Sequence, residues 1–158
     1  MSIKSSKHNV FSIVLFVITA LYILFIWWHS TLTAEESTVE SNNVLYFFID
    51  FFKNIGINAE LSDYIIRKSA HFCEFALLGL LCMWASFVKT KNIIHNFMPA
   101  GFVCLATAVV DELIQINSQG RSAEVTDVAL DFFGAVSGVI FFLFVLLIIR
   151  LIKKVRQR

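Results

Sequence analysis

Long apolar runs alternate with short polar stretches along this chain, and the first run is the clearest. Residues 10–28 have the sequence VFSIVLFVITALYILFIWW, which is 19 residues without a charge. About 20 apolar residues in a helix cross the hydrocarbon core of a bilayer. A signal peptide has a shorter apolar core and a cleavage site of small residues, and no such site follows in HSTLTAEES. The run therefore predicts an N-terminal transmembrane anchor over residues 1–28 rather than a cleaved signal.

The second apolar run crosses a bilayer only if it takes charged residues into one end. Its charge-free part, residues 75–88, has 14 residues, which is too few for a full crossing. A span that starts near Ser69 is long enough, and it then includes His71 and Glu74. Ionisable residues inside a membrane are costly, so their position is a first indication of function.

The third and fourth runs have the same property. Residues 97–110 are also only 14 without a charge, so the third span must include the acidic pair that follows. The fourth run, residues 132–149, is charge-free over 18 residues and is predicted to begin near Val125. The charged residues that these two spans take in are Asp111, Glu112, Asp127 and Asp131.

The segment between the first two spans, residues 29–64, is polar at first and then aromatic. Its part 44–57, VLYFFIDFFKNIGI, is too short to span and is interrupted by Asp50 and Lys53. This composition predicts an external loop with a helix lying at the membrane surface. A hairpin that re-enters the membrane is the weaker alternative.

Basic and acidic residues fall on opposite sides of the four predicted spans. The two termini and the connection at 89–96 carry nine basic residues and no acidic one, while the other side carries all 12 acidic residues and four basic ones. Because basic residues accumulate on the cytoplasmic side, both termini are predicted to be cytoplasmic. The predicted fold is an all-α, multi-pass protein of the cell membrane with four transmembrane helices. Residues 141–158 complete the last span and form a basic tail.

Composition agrees with a membrane protein and excludes other classes. The chain is 58% hydrophobic and 16% charged, while soluble domains have about a quarter charged residues. Its basic residues are few and flank the spans, so nucleic-acid binding is not expected. Cys73, Cys82 and Cys104 lie in apolar runs without metal-binding spacing and are predicted to be buried, reduced packing residues. The leading interpretation assigns no cofactor and no metal.

The ionisable residues of the spans collect at the external side of the predicted bundle. Helical spacing of about 100° per residue places Arg67, His71 and Glu74 on one face of the second span. On the third span, Asp111 and Gln115 share a stripe of small and polar residues, and the residue after Asp111 points about a quarter turn away. The predicted polar cluster consists of Arg67, Lys68, His71, Glu74, Asp111, Glu112, Gln115, Arg121, Asp127 and Asp131.

On the fourth span, the line of polar residues continues into two glycines. Asp127, Asp131, Gly134 and Gly138 fall on one side of the predicted helix. The glycines form a GxxxG step, which lets two helix backbones approach closely. Both are predicted to be packing residues.

The buried carboxylates of the cluster allow two interpretations. A buried carboxylate needs a cation, a proton or a metal close to it. In one interpretation, Arg67 and Arg121 neutralise Asp111 and Asp131 in a purely structural network. In the other, the same residues form a site that binds a ligand, and the sequence leaves both open.

Four segments of the chain resemble the VanZ-like family of bacterial membrane proteins. They are RKSAHFCEFALLGLL at 67–81, DELIQ at 111–115, GR at 120–121 and DVALDFFGAVSG at 127–138. Together they cover a VanZ-like core of residues 65–140. The resemblance implies a role in the cell envelope and an association with resistance to glycopeptide antibiotics such as teicoplanin.

Three positions depart from the pattern that is usual in that family. Gln119 stands where proline is common, Asp131 where asparagine is common, and Phe75 where tyrosine is usual. The extra carboxylate makes the cluster more acidic, and the phenylalanine removes a hydroxyl group from it.

The leading functional hypothesis is a non-enzymatic protein that contacts membrane lipids. It binds an amphiphile, a lipid-linked precursor or a glycopeptide at the outer leaflet. In this hypothesis Arg67, Lys68 and Arg121 pair with an anionic headgroup.

Two other functions remain open. One is a metal-dependent intramembrane hydrolase or transferase acting on an envelope lipid, which the carboxylates and His71 could support. The cluster has a single histidine and no HExxH or GxSxG motif, which argues against it. The other is assembly with an envelope enzyme, or with further copies of the chain, through the GxxxG step and the aromatic segment at 44–57.

Overall fold

The computed structural model describes residues 2–54, 62–121 and 124–157. These residues form five α-helices and no strand. The helices are α1 (Ser2–His29), α2 (Ala34–Asn54), α3 (Asp63–Thr90), α4 (Ile93–Ile116) and α5 (Val125–Arg156). Helices α1, α3, α4 and α5 each contain a segment long and apolar enough to cross a membrane, which confirms the predicted all-α fold with four spans.

The four long helices run alternately in opposite directions, because short connections join α3 to α4 and α4 to α5, and the end of α1 contacts Glu74 and Asp111. Between α3 and α4, Lys91 adopts the left-handed backbone conformation with φ 57°. Asn92 then caps α4 by accepting a hydrogen bond from the His95 backbone N–H at 3.1 Å. Helices α1 and α4 therefore end where α3 and α5 begin. This end of the bundle, formed by residues 29–34, 62–74 and 111–131 as far as they are described, is called the polar end.

Helix α3 is the centre of the bundle and packs against each of the other four helices. Its contact with α5 is very close because two glycines of α5 carry no side chain. A Cβ atom at Gly134 would overlap the carbonyl oxygen of Phe72, and one at Gly138 would overlap that of Ala76. The predicted GxxxG step is thus a packing surface within the chain. Since α3 covers it, it is not a free face for another protein.

The apolar core is small and lies where α1, α3, α4 and α5 meet. Its buried residues are Ile26, Phe75, Leu78, Cys82, Ala100, Cys104, Ala108 and Ala135. Cys82 and Cys104 are buried free thiols, as predicted. The prediction for Cys73 is wrong, because that residue is exposed and lines a cavity between α2 and α3.

Helix α1 is a packed member of the bundle and more than an anchor. Ile26 is 1% exposed. The Trp27 indole N–H donates to the carbonyl oxygen of Thr107 in α4 at 3.4 Å. The Tyr22 hydroxyl donates to the carbonyl oxygen of Glu74 in α3 at 3.2 Å. These contacts hold the end of α1 against the residues that form the site.

Helix α2 begins at Ala34. The surface helix predicted from the sequence begins ten residues later, at residue 44. Residues 55–57 of that prediction lie outside the described residues. A capping box explains the early start, since Thr33 and Glu36 bond each other's backbone N–H groups at 3.3 and 2.9 Å. The bonds from Thr33 lower the pKa of Glu36. The Ala34 N–H donates to the carbonyl oxygen of Gln119 at 3.0 Å. The start of α2 is therefore fixed to the turn between α4 and α5.

Candidate functional site

Asp111 lies at the centre of the polar end and is fully buried. One carboxylate oxygen accepts a hydrogen bond from the Ser30 hydroxyl at the end of α1. The other accepts from the Gln115 side-chain amide at 2.8 Å. Gln115 lies one helical turn after Asp111 on α4, which is the spacing that brings two side chains to the same face. Both oxygens of this buried carboxylate are therefore bonded.

Glu74 on α3 is joined to α1 and α2 through His29. The His29 Nδ1 lies 3.2 Å from a Glu74 oxygen, and its Nε2 lies 2.9 Å from a Glu40 oxygen. A neutral imidazole donates through one nitrogen only, while an imidazolium donates to both carboxylates. His71 Nδ1 is farther from Glu74, at 4.0 Å, and has no hydrogen-bond partner among the described residues.

Lys68 and Asp127 form an ion pair between α3 and α5. Both side chains are about four-fifths buried, at 20% and 23% exposure. The Lys68 ammonium also lies 5.3 Å from the centre of the Tyr64 ring. Among the described residues, no other lysine or arginine forms an ion pair with a carboxylate. Arg67 and Arg121 therefore do not neutralise Asp111 and Asp131 by direct pairing.

Arg121 lies in the turn between α4 and α5 and faces inward. Its Nε is buried and finds no acceptor among the described residues. Burial and the neighbouring Arg67 lower the pKa of the Arg121 guanidinium. Two guanidinium groups close to each other favour an anion between them.

Glu112 and Asp131 are the other buried carboxylates, with 5% and 1% exposure. One Glu112 oxygen accepts from the Glu124 backbone N–H at 3.2 Å, at the start of α5. The second Glu112 oxygen and Oδ1 of Asp131 have no hydrogen-bond partner among the described residues. Glu112 is therefore buried because α5 begins over it, although helical spacing turned it away from Asp111.

Asp131 lies close to two other potential metal ligands. One ligand atom each from His71, Asp111 and Asp131 lies within 4.8 Å of the other two. A cavity of about 10 Å³ borders the same place, and its walls include His71, Glu112 and Asp131. This volume is about that of one water molecule or ion.

Two larger cavities open at the polar end, and they share two residues of their walls. The polar cavity, of about 130 Å³, is lined by predicted site residues of α3, of α4, of α5 and of the turn between the last two. Those residues are Arg67, Lys68, His71, Gln115, Arg121 and Asp127. The apolar cavity, of about 360 Å³, lies between α2 and α3, and most of its wall is carbon. Arg67 and His71 line both cavities.

Comparison with known proteins gives one match. The model of the family VanZ/LLP1 matches residues 11–149, which is most of the chain. The chain belongs to the VanZ/LLP1 family. No curated protein and no solved structure matches it.

The VanZ/LLP1 match is wider than the core predicted from the sequence. It begins in α1 and ends in α5, while the resemblance covered residues 65–140. The match thus includes most of the first span, which agrees with the contacts of α1 in the bundle.

All ten residues of the predicted cluster lie at the polar end of this VanZ/LLP1 protein. Six of them line the polar cavity. Glu74 faces the apolar cavity instead, and Asp111, Glu112 and Asp131 are buried behind the two cavities. The structure thus divides the cluster into an accessible part, which holds all of its basic residues, and a buried part of three carboxylates.

Sequence reasoning missed three members of the site. Ser30 and His29 come from the end of α1, and Glu40 comes from α2. His29 and Ser30 are the first polar residues after the first span, at the same predicted side of the membrane as the cluster. That position was the signal that could have included them.

Proposed function

We propose that this membrane protein binds an amphiphile with an anionic headgroup at the outer leaflet of the cell membrane. The observation that carries the proposal is that a polar cavity rich in basic residues and an apolar cavity share Arg67 and His71 in their walls. An amphiphile has the same two parts joined at one point. Its headgroup would occupy the polar cavity and part of its chain the apolar one.

The polar cavity has the donors that an anionic headgroup requires. Arg67 and Arg121 form no ion pair within the described chain, and Nε of Arg121 has no acceptor there. Lys68 is bound to Asp127, so its charge is already balanced. A phosphate or carboxylate between the two arginines could accept paired N–H bonds from their planar groups.

The apolar cavity is suited to a hydrocarbon chain. It lies between α2 and α3, and Val44, Ile66 and Ala70 contribute to its wall. Binding sites for small molecules are usually clefts of about 300–1,000 Å³ with mostly apolar walls and a few polar groups. A cavity of about 360 Å³ is at the lower end of that range and fits part of a chain.

The orientation predicted from the sequence supports the outer leaflet as the place of binding. Nine basic residues lie at the two termini and in the connection between α3 and α4, and that side of the sequence carries no acidic residue. Basic residues mark the cytoplasmic side, so the polar end would face outward. Lipid-linked wall precursors and lipoglycopeptides such as teicoplanin are amphiphiles of this leaflet, and a role in teicoplanin resistance is part of the proposal.

Titration of the purified protein in detergent tests the proposal. Hexadecyl phosphate is the anionic probe, and hexadecanol is its neutral counterpart. We expect hexadecyl phosphate to bind more tightly than hexadecanol. The Arg121→Ala variant should bind hexadecyl phosphate about tenfold or more weakly, because a hydrogen bond to a charged group is lost. Lys53→Ala is the matched control, since Lys53 is exposed at the end of α2. Polyprenyl phosphate and teicoplanin follow as ligands of the two proposed classes.

A second variant tests the binding of the ligand's hydrocarbon chain separately from the binding of its headgroup. Ala70→Trp places a large side chain in the apolar cavity and leaves both arginines in place. This variant should bind hexadecyl phosphate more weakly than the wild type does, and it should bind butyl phosphate with unchanged affinity. Equal binding of the phosphate and the alcohol to the wild type, or equal effects of Arg121→Ala and Lys53→Ala, would refute the proposal.

A further inference from the structure

We propose that His71, Asp111 and Asp131 bind one divalent metal ion between α3, α4 and α5. The three residues come from three different helices, yet a ligand atom of each lies within 4.8 Å of the other two. Metal–ligand bonds of about 2.0–2.2 Å place adjacent ligands about 3–4 Å apart. Small movements of the side chains are therefore sufficient to surround an ion.

The charge of the buried carboxylates supports a cation at this place. Among the described residues, Glu40 and Glu74 contact histidine nitrogens and Asp127 pairs with Lys68, whereas Asp111, Glu112 and Asp131 have no basic nitrogen within 4.0 Å. Removing an isolated carboxylate from water is strongly unfavourable, and removing several together is more so. One divalent ion would balance two of these charges.

Asp131 gives independent support because it is buried and incompletely bonded. It is 1% exposed, and its Oδ1 has no hydrogen-bond partner among the described residues. A buried polar atom without a partner usually indicates a missing ion or water molecule. The cavity of about 10 Å³ beside Asp131 has room for one such particle. Oε1 of Glu112 also lacks a partner there and could supply a fourth ligand.

Residues around the three ligands are arranged as metal sites require. Ser30 and Gln115 donate to the two oxygens of Asp111 and so fix the carboxylate in place. Such outer contacts orient the ligands of a metal and raise its affinity. Lys68 lies on the wall of the small cavity, but its ion pair with Asp127 already compensates its charge.

The ligand set indicates which metals to expect. One imidazole with two or three carboxylates favours Zn²⁺, Mn²⁺ or Fe²⁺ over Ca²⁺, which prefers six to eight oxygen ligands. The proposed ion lies behind the polar cavity, next to His71. It does not depend on the binding of an amphiphile.

Metal analysis of the full-length protein tests this inference. The protein is purified with a tag that contains no histidine, stripped with a chelator and titrated calorimetrically with Zn²⁺, Mn²⁺ and Mg²⁺ in the absence of added lipid. We expect one ion per chain, with Mg²⁺ the weakest. Asp131→Asn should reduce the affinity about tenfold or more while preserving the shape of the side chain. Asp50→Asn is the matched control, since Asp50 is exposed on α2 and lines no part of the site, and should change the affinity less than twofold.

The melting temperature of each variant without metal confirms that it is folded. Absence of stoichiometric metal in the wild type, together with no thermal stabilisation by any of the three ions, overturns the inference. So does unchanged affinity in a folded Asp131→Asn variant. Because no anionic amphiphile is added in these measurements, their failure leaves the proposed binding of an anionic amphiphile untouched, and the reverse also holds.

Discussion

Asp111 and Asp131 are buried to the same extent but are bonded differently. Asp111 is 0% exposed and accepts hydrogen bonds at both oxygens, whereas Asp131 is 1% exposed and has a free Oδ1 within the described chain. The first is an organised group whose position is fixed by α1 and α4. The second is the group that still needs a partner. The hydrogen bonding of individual carboxylate oxygens thus distinguishes two residues that the sequence analysis placed in the same cluster.

Ser30→Ala tests the importance of the bond between α1 and Asp111. The variant removes the hydroxyl donor and leaves one oxygen of a buried carboxylate unbonded. We expect the free energy of unfolding to fall by about 1–3 kcal/mol. Thermal or denaturant unfolding in detergent measures the change.

Thr31→Ala is the control for this variant. The Thr31 hydroxyl is exposed and bonds the carbonyl oxygen of Trp28 within its own helix end. Its loss should change stability by less than about 0.5 kcal/mol. Similar effects of the two variants would show that the Ser30–Asp111 bond contributes nothing specific.

Among the elements, the pair of α3 and α5 determines the position of the site. Their backbones touch at Gly134 and Gly138, one and two turns after Asp131. On α3, the contacted residues Phe72 and Ala76 flank Glu74 in the sequence. The close contact therefore sets how Asp131 faces the polar residues of α3.

Gly138→Ala should disrupt this arrangement. The added Cβ would overlap the backbone of α3 at Ala76, and backbone cannot move aside as a flexible side chain can. We expect a loss of about 1–3 kcal/mol in stability, measured by thermal unfolding in detergent. Gly101→Ala on α4 is the control, since no atom lies within 4 Å of its new Cβ. It should be neutral or stabilise by up to about 1 kcal/mol.

Elements were more predictable than the contacts between them. Apolar length and helical spacing are local, and they correctly predicted the four long helices and the buried stripe that contains Asp111 and Gln115. The bond between Ser30 and Asp111 joins residues 81 apart in the sequence and depends on packing, so no local pattern could predict it. The early start of α2 was different, because the capping box at Thr33 and Glu36 is a local signal that the emphasis on aromatic residues overlooked.

At the scale of the whole molecule, charge is distributed unevenly between the two ends. The polar end has the buried carboxylates and the two cavities of the proposed site, and the opposite end has the basic tail and the short turn at Lys91. The sequence predicted the side of the membrane that each end faces, and this remains a prediction. The burial of three carboxylates behind the residues that line the cavities was not predictable, because it depends on the way four helices meet.

Cysteine labelling in intact cells checks the orientation. In a variant without the three native cysteines, Thr31→Cys and Lys91→Cys place single exposed thiols at the two ends. A maleimide that cannot cross membranes should label residue 31 in intact cells and residue 91 only after permeabilisation. The reverse pattern would place the polar end in the cytoplasm and would contradict binding at the outer leaflet.

The hydrogen bond between Ala34 and Gln119 bears on how any ligand reaches the interior. It joins α2 to the α4–α5 turn, and Ala34 and Gly120 both border the polar cavity. In the proposed orientation this connection would cover part of the approach from water, and the space between α2 and α3 would open toward the lipid. Loading would then proceed sideways from the bilayer. Occupancy would follow the mole fraction of the amphiphile in the membrane, and its concentration in water would matter only through partitioning.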